Sequence, residues 1–119
     1  MKVKYETETP WIFQLNNFLE DRGLATSDVT QVIMLVKNSP TDADEAALLS
    51  KTMSAGEIVF PSDDAIAVDI DAADFGSSLE IGGTYYVYLG LTATGYTGSY
   101  LEVGLRDNTL SVVQDGIRG

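Results

Sequence analysis

The stretch IGGTYYVYLGLTATGYTGSYLEVGL, residues 81–105, decides the fold. Over residues 84–94, Tyr85, Val87, Leu89 and Leu91 share one face, while Tyr86, Tyr88 and Gly90 share the other. A period of two sustained this long predicts a strand with one buried face. Burying the aliphatic members contributes about 1.5–3 kcal/mol each. TGYTGS then supplies glycines for a hairpin loop. Residues 100–106 return, with Leu101, Val103 and Leu105 on one face. RDNT makes a tight turn, and LSVVQD closes the set.

Upstream, VTQVIMLVK at residues 29–37 is rich in β-branched and apolar residues, and Asn38 to Pro40 stops it. Its unbroken apolar centre predicts a strand buried on both faces, at the middle of a sheet. In SPTDADEAALL, Ser39 or Thr41 can cap a short helical turn, with Pro40 suited to its first position. LLSKTM resumes an extended chain, GEIVF gives another strand and PSDD turns. AIAVDIDAADF alternates, with Ile66, Val68 and Ile70 inward and Ala67, Asp69 and Asp71 outward.

At the N-terminus, Val3, Tyr5 and Thr7 alternate with Lys2, Lys4, Glu6 and Glu8. This pattern suits a half-exposed edge strand, because charges there discourage unwanted pairing. The next stretch, WIFQLNNFLEDRGL, has two readings. Trp11, Phe13 and Leu15 alternate as in a strand, and Leu15, Phe18 and Leu19 fit a helical turn ending near Gly23. A short strand followed by a turn is favoured. The total is about eight short strands separated by turn chemistry. The reading is a single all-β domain over residues 1–119, an antiparallel immunoglobulin-like β-sandwich with one short helical turn.

Composition narrows the function. The chain carries 18 acidic and 7 basic residues, a formal charge of −11. Nucleic acid and anionic lipid both need Lys and Arg to displace counterions, so direct binding to either is disfavoured. Cysteine and histidine are absent, which removes disulfides, thiolate chemistry and every triad that relies on imidazole. MKVKYETETP lacks the apolar core of a signal peptide, and no run reaches the roughly 20 apolar residues of a membrane span. No cofactor and no catalytic residue are expected.

Three groups of side chains invite a functional reading. Asp63, Asp64, Asp69, Asp71 and Asp74 offer oxygens for calcium, which takes six to eight hard ligands, but their spacing matches no EF-hand loop. A solvated face and a loop explain them more simply. The acids of DADE, residues 42–45, suit a helix start better than a metal. Tyr86, Tyr88, Tyr96 and Tyr100, with Trp11, can stack on sugar rings, as in carbohydrate-binding modules. Tyrosine is equally a strand and interface residue. Val3, Tyr5, Trp11, Tyr86, Tyr88, Tyr96 and Tyr100 are therefore the candidate interface residues.

The order of segments across residues 29–114 resembles the N-terminal immunoglobulin-like domain of siphophage baseplate upper proteins. It is also similar to small domains in other tailed-phage virion proteins. The matching features are the strand ending in Lys37, the apolar–Asp alternation of residues 68–71 and the Tyr-Tyr strand of residues 83–89. The resemblance implies a non-enzymatic virion building block that packs against other virion proteins, in repeated or homo-oligomeric copies, after synthesis in the host cytoplasm. The family's coiled-coil or receptor-binding extension has no counterpart in these 119 residues. Head–tail connector, tail and capsid-surface positions therefore stand beside the baseplate. A carbohydrate- or ligand-binding module is the alternative, and an acidic inhibitor or DNA mimic is a third reading.

Overall fold

In the computed structural model, which describes residues 1–6, 8–76, 78–96 and 100–114, nine strands form two sheets. They are β1 (Lys2–Lys4), β2 (Trp11–Gln14), β3 (Val29–Lys37), β4 (Leu49–Thr52), β5 (Ile58–Ser62), β6 (Ala65–Val68), β7 (Thr84–Ala93), β8 (Leu101–Val103) and β9 (Thr109–Val113). The larger sheet runs β1-β9-β7-β3-β4, with β8 also on β7, and the smaller runs β2-β6-β5. Strands β2, β6 and β5 correspond to B, E and D of an immunoglobulin sandwich, and β3, β7 and β9 to C, F and G. Strand β4 extends the second sheet beyond C. All pairs are antiparallel except β1 with β9, which are parallel. The chain is thus an all-β, immunoglobulin-like sandwich.

The long periodic strands meet at its centre. Strand β3 pairs with β7 from Val29↔Ala93 to Lys37↔Tyr86, with one irregularity near Gln31. Alternation sends Val32, Met34 and Val36 inward beside Val87, Leu89 and Leu91. Opposite them, Trp11, Phe13, Ile58, Ile66 and Val68 come from the smaller sheet and join the same buried cluster. The expectation for β6 holds, with Ile66, Val68 and Ile70 all buried. For β3 it holds in part: Leu35 and Lys37 are buried on the outer face as well, whereas Ile33 is half-buried.

Several local readings need correction. The helical turn expected around Pro40 lies further on, at Asp44–Ala46, and is one of four short 3₁₀ turns among the described residues. Neither Ser39 nor Thr41 caps it. The residue preceding it is Ala43, and the Asp42 carboxylate instead accepts the Ser39 N–H at 3.1 Å. The Trp11 segment is a strand, as the alternation favoured. It ends in a tight turn where Asn16 and Asn17 both take positive φ (53° and 64°), a conformation that asparagine tolerates. RDNT bends the chain without reversing it. Strands β8 and β9 both run antiparallel to β7, one after the other along the same edge, as an interrupted strand. Strand β1 is an edge strand but spans three residues, ending before Glu6, which has φ 60°. Thr7 lies outside the described residues.

Two polar devices hold the approach to β7. The Tyr85 hydroxyl accepts the Glu80 N–H at 2.9 Å, which ties the start of the strand to the preceding corner. This is the tyrosine corner of immunoglobulin-like sandwiches. Gly83 makes it sterically feasible, since a Cβ there would run into the Tyr85 ring and hydroxyl. The second device is Lys51 on β4. Its buried ammonium lies 2.9 Å from Asp74 and 3.5 Å from Glu57. Burial by itself lowers the pKa of Lys51, but the hydrogen bond and charge of Asp74, helped by Glu57, reverse this and hold it above its ordinary value.

Tyr85→Phe should therefore cost about 1 kcal/mol in urea unfolding, the net worth of one hydrogen bond. Gly83→Ala should cost more, because its Cβ would displace the buried Tyr85 ring as well as break the hydrogen bond. Lys51→Met strands Asp74 and should cost about 3 kcal/mol. Because the folded pKa of Lys51 is raised, its contribution is complete below the ordinary value near 10.5. It fades as pH rises through the folded value, so the gap between wild type and Lys51→Met should narrow in alkaline unfolding curves.

Candidate functional site

The outer face of the larger sheet is hollow. Register sets the walls of the hollow in rows that cross the strands. Ser50, Leu35 and Tyr88 form one row, and Thr52, Ile33, Gly90 and Glu102 form the next. Between them lies a groove of about 630 Å³ lined chiefly by Ile33, Leu35, Tyr88, Gly90 and Tyr100, with Asp44, Glu45 and Glu102 on its rim. Gly90 creates the depth. A Cβ at this position would lie 3.0 Å from the Tyr100 Cβ and 3.5 Å from the Ile33 Cγ2.

Lys37 closes one end. It is 8% exposed, and its ammonium donates to the Asp44 carboxylate at 2.7 Å and to the Asp42 carbonyl at 3.1 Å. It also stands 5.0 Å from the centre of the Tyr88 ring. A cation at this distance is attracted by the electron-rich ring face. Asp42 and Asp44 therefore hold a buried lysine and a loop in place. Among the described residues no hydrogen bond or ion pair engages the carboxylates of Glu45 or Glu102.

The candidate interface residues do not form one surface. Val3 and Trp11 are core residues, 7% and 4% exposed, because both point between the sheets. This removes them from any surface contact and is a correction to the sequence reading. Tyr5 is half-buried and packs edge-on against Phe75, with ring centroids 5.5 Å apart. Tyr88 and Tyr100 meet at the groove. Tyr86 shares their sheet face, in register with Lys37 and Thr109, but lies outside the lining. Tyr96 is exposed on the β7–β8 hairpin, whose residues 97–99 lie outside the described ones.

Several of the other acids have structural employment. Asp74 binds Lys51 and accepts the Asp71 N–H, while Asp71 accepts the Ala73 N–H, forming reciprocal caps on the 3₁₀ turn Ala72–Asp74. Asp64 accepts the Asn17 N–H at 2.7 Å. Asp69 projects into solvent. Among the described residues no three acidic side chains gather as a metal site. Asp107 accepts the side-chain and backbone hydrogen bonds of Thr109 and faces the Met1 ammonium, which brings its pKa down to about 2.

The sequence reading missed a second surface on the opposite side of the sandwich. Ile12, Ala67 and Val59 stand in one row across β2, β6 and β5. Ile12 and Val59 are 52% and 58% exposed. The signal was present in the alternation of WIFQ, where Ile12 must oppose the buried Trp11 and Phe13. Its pairing with Val59 through Ala67 needed the sheet order.

No described helix is long and apolar enough to cross a membrane. Comparison with protein-family models, with curated proteins and with solved structures gave no match.

Filling the groove floor gives a direct check on its geometry. Gly90→Ala should push Tyr100 outward and shift its ring resonances, with a loss of about 1 kcal/mol or more from crowding. Tyr100→Ala should change stability by no more than about 0.5 kcal/mol, because the side chain is 45% exposed and lies outside the core. The Trp11 emission should stay blue-shifted in both.

Proposed function

We propose that the chain is a non-enzymatic structural component of a tailed-phage virion, present in repeated copies and held by contacts with neighbouring virion proteins. The observation that carries this reading is the placing of apolar side chains in register on both outer faces of the sandwich. The smaller sheet offers the Ile12–Ala67–Val59 row, and the larger sheet offers the groove. A sandwich needs only its inner faces for stability, so apolar rows outside support contact with other proteins. The segment order that resembles baseplate immunoglobulin-like domains supports the same reading. A charge of −11 suits basic neighbours and limits contact with the packaged genome. Edge strand β1, with Lys2 and Lys4 exposed, offers a further pairing edge.

One observation favours a second reading. Tyr88 and Tyr100 in a groove rimmed by carboxylates also suit a carbohydrate ligand, with rings for stacking and acids to accept hydroxyl hydrogens. A glycan array separates the two, since selective binding to one glycan class supports the module and not the building block.

Mass spectrometry of particles made by the genome that encodes the chain should find it in fixed stoichiometry. Its absence from purified particles would refute the structural reading. In those particles, Ile12→Lys with Val59→Lys should abolish or sharply reduce incorporation. The same pair should leave the unfolding free energy within about 0.5 kcal/mol per site, because both side chains are exposed.

A further inference from the structure

We propose that the groove on the outer face of the larger sheet receives a segment of a partner protein in which arginine or lysine stands beside apolar side chains. This deepens the assembly reading and rests on it. The floor, made by Ile33, Leu35 and the bare backbone of Gly90, has only apolar contact to offer. Glu45 and Glu102 stand on the rim without a cation among the described residues, while Lys37 is already matched by Asp44. The groove thus keeps an excess of negative charge above an apolar floor.

Tyr88 takes the Lys37 ammonium near one ring face. Tyr100, 45% exposed, presents its ring at the same groove. A guanidinium both stacks on such a ring and forms paired hydrogen bonds with a carboxylate, so arginine fits this combination best. A second copy of the chain does not fit, because docking it there would set a body of charge −11 against an acidic rim. A sugar fits less well. The rim offers mostly acceptors, and a pyranose needs donors as well to satisfy its ring and hydroxyl oxygens.

The test selects a display library of random octapeptides on the immobilised 119-residue chain, with the Glu45→Lys, Glu102→Lys double variant as counter-target. Selected peptides should be enriched in arginine or lysine flanked by apolar residues. Their affinity should fall about tenfold or more on the double variant. It should also weaken as salt is raised. Amide resonances of Ile33, Leu35, Ser50, Gly90 and Glu102 should move on titration with the best peptide. Both substituted sites are on the rim, and an unchanged thermal transition checks the fold.

Acidic or uncharged selected peptides, binding unaffected by the double variant, resonance shifts confined to other surfaces, or no selected peptide at all would overturn the proposal. Saturation of the same resonances by a β-1,4-linked glucan hexamer, with no peptide response, would assign the groove to carbohydrate. The two levels separate cleanly. If the chain is present in particles but no basic peptide binds, the groove assignment fails and the assembly reading stands. If the chain is absent from particles, the assembly reading fails whatever the peptides do.

Discussion

The pairing of β3 with β7 is the constraint on which the rest of the molecule depends. These are the two longest strands, and their register runs from Val29↔Ala93 to Lys37↔Tyr86. Side chains alternate with a period of two, so a slip of one residue would exchange the faces of a strand. A slip of β3 would carry Met34 out to solvent and bring Ile33 into the core. The same register sets Ile33 beside Gly90 and Leu35 beside Tyr88, which makes the groove. Core and candidate site are two faces of one ladder.

Around that ladder the polar interactions work as fasteners. Tyr85 fixes where β7 begins, and Lys51 joins β4 to the turn that follows β6. Lys37 ends β3 and gathers the acidic turn beneath it. The buried ammoniums of Lys37 and Lys51 are each met by at least one carboxylate. An unpaired buried charge costs several kcal/mol, so these acids act first as counter-charges. Asp44, Asp74 and Glu57 are committed to lysines in this way.

The outer surfaces follow a different logic. A strand with one buried face usually turns polar side chains to solvent, yet here Ile12 and Val59 are more than half exposed in one row across the smaller sheet, and Tyr88 and Tyr100 are partly exposed on the larger one. Exposed single apolar residues are ordinary, and alignment by register is what sets these apart. The Ile12–Ala67–Val59 row and the groove lie on opposite sides of the sandwich.

Much of this was legible in the sequence, for one reason: local periodicity reports which face of a strand is buried. It placed β3 and β7 correctly, assigned the inward faces of β6 and β7, and identified an all-β sandwich. It also favoured a strand for Trp11, where alternation outweighed the short helical pattern. What it could not reach were facts that depend on partners distant in the chain. That Val3 and Trp11 are core and not interface follows from which sheet covers them. That β8 and β9 share one edge of β7 follows from pairing across the chain, since the same turn residues serve a bend or a reversal. The helical turn beyond Pro40 begins at Asp44, whose carboxylate takes the Lys37 ammonium of the preceding strand, a contact that local composition does not show. Local composition thus determined the layers and their inner faces. Only the tertiary register brought Tyr88, Gly90, Tyr100 and Glu102 to one groove, because hydrogen bonding between strands, and not spacing along the chain, decides which side chains become neighbours.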